Sequence, residues 1–369
     1  MGEIDQPSLQ ALVAASLGET LRGLTLVRGG GNNRIYRGTL AAGTVAVKAY
    51  HPVADGSHLQ RLERESKSFA WLRSCGIDAV PNVRAVSAAH AFAVYDWIDG
   101  EKLPVAIQEA ERGAAIAGVN RFLDTLHAAK PAPSDGRWLA QEACLSTQDL
   151  LRQIEIRVER LKAIADPALA PFLADRLAPV LDRARARAVA AQAKTDLPWD
   201  RSLPESAWDF SPSDFGYHNA LRAATGRLVF VDFEYAGWDD AVKLTSEFLW
   251  HPGMQLSVAE RSSYLQAALR RYADIAGFAE RLAAQHPLFG LRWCLILLNE
   301  FLPERWQKRL FAAGGRLAES DWEAAKMRQL DRAGAYLRAA HRIVDTPARL
   351  DTGMLESWMA AWEAAPLHG

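Results

Sequence analysis

Apolar positions recur at two different periods along this chain, and the change of period divides it. From Leu24 to Ile98 they alternate in short runs separated by turn residues, as in "LTLV", "RIYRGTL", "TVAVKAY" and "AFAVYDWI". That is the period-2 pattern of antiparallel strands joined by hairpins. One segment breaks the alternation: "SHLQRLERESKSFAWLRSCG" places Leu62, Phe69 and Leu72 at helical spacing and ends at Gly76, which predicts a single helix against the sheet. Residues 1–97 are therefore expected to form a small β-rich lobe of α+β class.

Beyond "IDGEKLP" the period becomes helical. "NRFLDTLHA" reads as one helix, with His127 a packed residue of it. "QDLLRQIEIRVERLKAIA" puts Leu151, Ile154, Val158 and Leu161 on one face, and a second run puts Phe172, Leu173, Leu177, Val180, Leu181 and Ala184 on another. Together they predict a helical hairpin at about residues 146–192. The arginines of "DRARARA" flank that apolar stripe and read as a solvated helix face. Short strand-like pieces return over 205–232, where "NALRA", an Ala-Thr-Gly turn and "RLVFVD" predict a hairpin, and helices then resume. Residues 98–369 are expected to be a mostly helical second lobe.

Candidate chemistry begins at "VRGGGNNRIYRG". Consecutive glycines let backbone N–H groups approach an anion without obstruction by Cβ. The run lacks the GxxxxGK[ST] of a P-loop, and a strand pattern follows it rather than a helix, so neither that site nor a dinucleotide fold fits. A hairpin lying over phosphates fits, as does an ordinary turn. In "TVAVKAY" the alternation sets Val45 and Val47 on one face and Thr44, Ala46, Lys48 and Tyr50 on the other. A lysine facing inward needs an anionic partner, and Glu65 lies on the apolar row of the predicted helix. A strand lysine held by a helix glutamate is the arrangement that positions nucleotide phosphates in kinases.

Two Asp-Phe pairs follow, in "SDFGYHN" and "VFVDFEYAGW". Phosphoryl transfer to a hydroxyl needs one aspartate at the acceptor proton and a separate Asn and Asp for the metal ion. Asn219 stands five residues after Asp214, the spacing of a catalytic loop, and Asp232 follows the strand-like "RLVFV". Antiparallel pairing of the hairpin would bring Asn219 and Asp232 to the same end. Asp214 is then the expected base, and the "DFG" that it begins is not the metal-binding triplet.

With these residues in place the chain resembles the aminoglycoside phosphotransferase/choline kinase-like family of the protein-kinase-like fold. The resemblance runs in order through "GGGNNRIYR", "VAVKAY", "RESKSFAWLRSCGIDAVPNV", "FAVYDWIDG", "LDTLHA", "SDFGYHN" and "VFVDFEYAGW". It implies a bilobal fold, with ATP bound by the N-lobe and a helical C-lobe carrying the catalytic loop and the acceptor site. It further implies Gly29, Gly30, Gly31 and Asn32 over the phosphates, Lys48 and Glu65 beside them, and Tyr95, Asp96, Trp97 and Ile98 as the hinge meeting adenine. Asp214 would be the base, and Asn219 and Asp232 the Mg²⁺ ligands. The chain departs from the family in two places. Pro212-Ser213-Asp214 stands where His-Gly-Asp is usual, so the bracing histidine is missing unless His218 replaces it. "AVKLTSE" stands where a further Asp is common after "GWDD".

Composition narrows the alternatives. A formal net charge of -1 offers no field for nucleic acid or anionic membranes, and no apolar run reaches membrane-spanning length. The three cysteines form no CxxC, and no HExxH or GxSxG occurs, so disulfide frameworks, zinc hydrolysis and acyl transfer have no support. The N-terminus lacks the basic and apolar regions of a signal peptide, which leads to the expectation of a cytoplasmic protein. In "LRWCLILLNEFLPERWQKR", Glu300 and Glu304 are candidates for binding a small acceptor, or else polar residues closing a core helix. No long activation segment follows Asp232, which disfavours a protein kinase. The expected function is an ATP- and Mg²⁺-dependent kinase of a small hydroxyl metabolite, with sugars and amino sugars the first candidates and the oligomeric state left open. The alternative is a nucleotide-binding pseudokinase acting as a partner-binding module.

Overall fold

The computed structural model describes residues 4–27, 33–53, 55–103, 107–129, 136–193, 195–312, 318–346 and 352–364. The chain begins with α1 (Gln6–Leu17), β1 (Gly23–Val27), β2 (Asn33–Leu40), β3 (Gly43–Tyr50), α2 (Ser57–Ser74), β4 (Val83–Ser87), β5 (Phe92–Asp96), β6 (Gly100–Lys102) and α3 (Glu109–Ala128). There follow α4 (Thr147–Lys162), α5 (Leu169–Pro171), a π-helical stretch Phe172–Leu177, α6 (Ala178–Gln192), β7 (Asp209–Ser211), β8 (Ala220–Ala223), β9 (Leu228–Phe230) and β10 (Gly237–Asp239). The remainder is helical: α7 (Ala241–Trp250), α8 (Val258–Arg271), α9 (Phe278–Leu297), α10 (Pro303–Ala312), α11 (Glu319–Val344) and α12 (Thr352–Glu363). This is an α+β protein with an antiparallel sheet in its N-terminal part and a helical C-terminal part. Two compact units result, one from the residues up to Gln141 with Phe210–Trp238, the other from Glu142–Asp209 with Asp239 onward.

In the first unit five antiparallel strands are ordered β1-β2-β3-β5-β4. The alternation read from sequence is realised. Val45 and Val47 pack with Phe92, Val94, Tyr36 and Leu24 on one face, under Leu9 and Val13 of α1. Lys48 stands opposite Ala93 and Ala46 opposite Tyr95, so Lys48, Tyr50 and Tyr95 share the other face. There α2 buries Leu62, Glu65, Phe69 and Leu72. The helix α1 was not anticipated, although its signals are present. Asp5 accepts a hydrogen bond from the Ser8 N–H at 2.8 Å, and Gly18, at φ 67°, closes the other end.

The hairpin predicted over 219–232 forms. β8 pairs with β9 in the register Ala220↔Phe230, and β6 adds a third strand. Gly237 is dictated by close approach: a Cβ there would lie 2.5 Å from the Ala140 nitrogen, where residues 138–140 run beside β10.

In the second unit, α4 and the run from α5 to α6 are the two helices expected at 146–192, with Leu151, Ile154, Leu161, Phe172, Leu173, Leu177, Val180, Leu181 and Ala184 buried. Helix α9 is the centre, packed against α4, α6, α7 and α11. It contains Pro287, which has no N–H for the carbonyl four residues earlier. Arg187 of α6 supplies the missing donor: its Nη1 lies 2.5 Å from the Ala283 oxygen and 3.4 Å from that of Ala284. Its Nε donates to the Thr346 oxygen at 3.2 Å. The arginine run is thus only in part the solvated face expected. Arg183 and Arg185 do lie outward, paired with Asp345 and Glu155. No described helix is long and apolar enough to cross a membrane.

Candidate active site

Because β3 and α2 present their polar residues to the same side, Lys48 meets Glu65. The ammonium Nζ lies 2.7 Å from Glu65 Oε2, with the lysine 5% and the glutamate 1% exposed. Two more carboxylates come from the loop after β9: Asp232 Oδ1 at 2.6 Å and Glu234 Oε2 at 3.4 Å. Burial alone would lower the Lys48 pKa, but the three carboxylates outweigh it and hold the ammonium well above its usual range. Glu65 is pushed upward by burial against the pull of Lys48. Glu234 is buried too, yet Lys48 and Arg61 hold its carboxyl below the usual range.

Glu234 was absent from the sequence-derived set and is a hub of the site. Besides Lys48 it meets Arg61 Nη1 of α2 at 3.3 Å, and it accepts a hydrogen bond from Asn33 Nδ2 at 2.7 Å. Asn33 opens β2 directly after the glycine run. Gly29, Gly30, Gly31 and Asn32 themselves lie outside the described residues. Helix α2 has a second tie to the same loop, where Arg64 Nη1 donates to the Ala236 oxygen at 3.1 Å. The only clue in the sequence was that Glu234 follows two residues after Asp232 in "DFEYAG".

The residues of the expected catalytic loop lie where the hairpin requires. Val231 N–H donates to the Asn219 oxygen at 2.9 Å, which fixes the two chain ends side by side. Asn219 Nδ2 donates to the Asp214 backbone oxygen at 2.8 Å, so the amide oxygen of that side chain takes no part in this bond. Asp214 keeps a side chain 40% exposed, and His218 Nε2 lies 3.1 Å from its Oδ1. His218 is therefore in contact with the expected base, from four residues after it in the chain. The loop has a further brace, from Ser213 Oγ to the Tyr235 oxygen at 2.9 Å. Both Ser213 and Asp232 hold a left-handed backbone at φ 66°, a strained conformation for residues bearing a Cβ and one that concentrates at functional sites.

Of the hinge candidates, Tyr95 is buried, with its hydroxyl 3.4 Å from that of Tyr50. Asp96 pairs with Arg84 at 3.3 Å at the end of β5. Trp97 donates from Nε1 to Asp99 at 3.0 Å with Arg37 stacked over its ring, and Ile98 is half-buried. The two acceptor candidates belong to the other unit, where both are engaged. Glu300 Oε2 accepts from Arg309 Nη2 at 2.7 Å, and Glu304 pairs with Arg160.

The sequence profile of the phosphotransferase enzyme family, abbreviated APH, matches residues 23–278. The chain belongs to this family. Like other members of the phosphotransferase enzyme family it is a transferase of protein-kinase-like fold. No curated protein sequence matches it significantly. Among solved structures it is similar to a choline/ethanolamine kinase family protein from Mesorhizobium loti, with a TM-score of 0.58 and 16% identity over 96% of this chain and 98% of that one. A spectinomycin phosphotransferase, solved with ADP and spectinomycin, gives a TM-score of 0.58 at 11% identity, over 98% of this chain and 99% of its own. The choline kinase LicA from Streptococcus pneumoniae gives 0.53 at 13% identity, over 89% and 97%. At these identities the likeness establishes the fold that this phosphotransferase shares with them.

Proposed function

We propose that the protein is an ATP- and Mg²⁺-dependent kinase that transfers the γ-phosphoryl group to a hydroxyl of a small metabolite, with a sugar or amino sugar the first candidate. The observation that carries this reading is the contact of one buried lysine with both a helix glutamate and the aspartate of the hairpin loop, at 2.7 and 2.6 Å. Residues 1–97 serve as the nucleotide-binding lobe and the helical remainder, 98–369, carries the acceptor site. An enzyme that consumes ATP goes with a cytoplasmic location.

The donor chemistry fits a magnesium ion. Three carboxylates, of Glu65, Asp232 and Glu234, face two cations, Lys48 and Arg61, which leaves one excess negative charge. The Asp232 carboxylate and the Asn219 amide oxygen are hard oxygen donors of the kind Mg²⁺ takes. When bound, the ion neutralises charge on the β- and γ-phosphates as it builds up in the transition state. Lys48, held by Glu65, positions the phosphates. Asp214 accepts the proton of the acceptor hydroxyl while that oxygen forms its bond to phosphorus and the bond to the ADP oxygen breaks. His218 and the Asn219 amide keep the loop of Asp214 in place.

Transfer from γ-labelled ATP to a panel of sugars, amino sugars and amino alcohols tests the reading and finds the acceptor. The Asp214→Ala variant should then lose about 10²–10⁴-fold in turnover. Unchanged turnover in that variant would remove Asp214 as base. Nucleotide binding with no Mg²⁺-dependent transfer to any acceptor would leave the pseudokinase alternative.

A further inference from the structure

Tyr50 ends β3 two residues beyond Lys48, on the same face of the sheet, and is 2% exposed. Its hydroxyl donates to Glu65 Oε2, the same oxygen that receives Lys48. Its ring lies beneath the ammonium, with Lys48 Nζ 5.0 Å from the ring centroid. One side chain therefore touches both members of the pair. A buried tyrosine hydroxyl needs a partner, and this one is satisfied at the acidic centre of the lobe, although the neighbouring Tyr95 hydroxyl at 3.4 Å offers a less demanding contact.

The lysine has three competing carboxylates within reach, and the nearest by a small margin is Asp232. An Asp232 carboxylate that holds the ammonium is not fully available to a metal ion. The balance between the two sides depends on how firmly Glu65 is placed, because a glutamate has three side-chain torsions to immobilise. Tyr50 removes that freedom by hydrogen-bonding the carboxylate, and the face of its ring adds a cation–π attraction from below.

We propose that Tyr50 is a positioning residue for phosphoryl transfer: by fixing Glu65 and underlying Lys48, it holds the ammonium to the helix carboxylate when a metal ion draws on Asp232. This rests on the reading of the site as one for ATP and Mg²⁺. The hydroxyl of Tyr50 acts through Glu65, and its ring acts on Lys48. That gives it a signature that a merely structural tyrosine would not have.

The test is calorimetric binding of AMP-PNP with Mg²⁺ to four full-length proteins: wild type, Tyr50→Phe, Glu65→Gln and the double variant. Phenylalanine keeps the ring and its packing and removes only the hydroxyl. Tyr50→Phe should bind AMP-PNP with Mg²⁺ about tenfold more weakly, the size of one hydrogen bond to a charged group. In the Glu65→Gln background the same change should have no further effect. In steady state the loss should appear in KM for ATP, with KM for the acceptor unchanged. Wild-type binding by Tyr50→Phe would overturn the proposal, as would an equal tenfold loss with Glu65 already replaced. Lys48→Met and Asp232→Asn separate this from failure of the site itself. If both bind AMP-PNP with Mg²⁺ as wild type does, the ATP site is misplaced and the proposal falls with it. If both lose binding while Tyr50→Phe is silent, only the role of Tyr50 is refuted.

Discussion

Replacing Arg187 by methionine should expose the weak point of helix α9. Pro287 cannot supply an N–H to the Ala283 carbonyl, and Arg187 Nη1 supplies one from α6 at 2.5 Å. Ala283 and Ala284 are fully buried, so no solvent replaces the donor when it is removed. A buried carbonyl left without a partner costs about 1–3 kcal/mol, and the lost bond came from a charged group. With the weaker contacts to the Ala284 and Thr346 oxygens also gone, Arg187→Met should destabilise by about 2–4 kcal/mol. Methionine retains most of the arginine stem, which separates lost hydrogen bonding from lost packing. The decisive comparison is the same change in a Pro287→Ala background. There the new N–H at 287 takes the Ala283 oxygen within the helix, and Arg187→Met should cost only about 1 kcal/mol. Urea midpoints of the four proteins, followed by far-ultraviolet circular dichroism, give a coupling of about 1–3 kcal/mol if the arginine stands in for the proline. Effects that add to within about 0.5 kcal/mol would refute that relation.

Two further outcomes follow from burial. His286 is fully buried, stacked 4.2 Å from Trp358, and burial, together with the charges of Arg261 and Arg187, pushes its pKa well below the usual value. The unfolded chain therefore binds this proton first. Stability from the neutral ring is complete above about pH 6.5 and falls by about 1.4 kcal/mol per unit below it, until the depressed native value is reached. Wild type should lose about 1.4 kcal/mol more than His286→Gln between pH 7.5 and 5.5; parallel losses would contradict this. Among the cysteines, Cys75 is exposed, whereas burial pushes the Cys144 thiol up to about 12 and the Cys294 thiol upward as well. One thiol should react with a disulfide reagent at pH 8 in the native protein and three in guanidinium; a second fast thiol would argue against the packing around Cys144 or Cys294.

Where local pattern decides structure, the sequence was a sufficient guide. Alternation along β3 separated Val45 and Val47 from Lys48, helical spacing put Glu65 on the inner row of α2, and the hairpin joined Asn219 to the loop of Asp232. What escaped depends on partners far away in the chain. Glu234 is a hub because Lys48, Arg61 and Asn33, the last of them 201 residues earlier, all reach it. Arg187 reads as solvated until a proline 100 residues later leaves a carbonyl for it to meet. Glu300 and Glu304 stood as acceptor candidates or as polar residues closing a core helix, and spacing alone did not give their partners Arg309 and Arg160. Helix α1 is a different case, because its Asp5 cap and Gly18 terminus were in plain sight and only its packing partner was unknown.

Ser213 bears on how such chains are recognised at all. Its hydroxyl ties the loop of Asp214 to the segment after Asp232, and it does so from one residue before the aspartate, whereas the usual bracing side chain sits two before. A comparison made column by column scores this as a loss. One made contact by contact finds the loop still tied, by Ser213 and by His218. Sequence surveys that require a histidine in that column will set aside chains whose loop is still secured, and a pattern admitting a hydroxyl residue next to the aspartate would recover them.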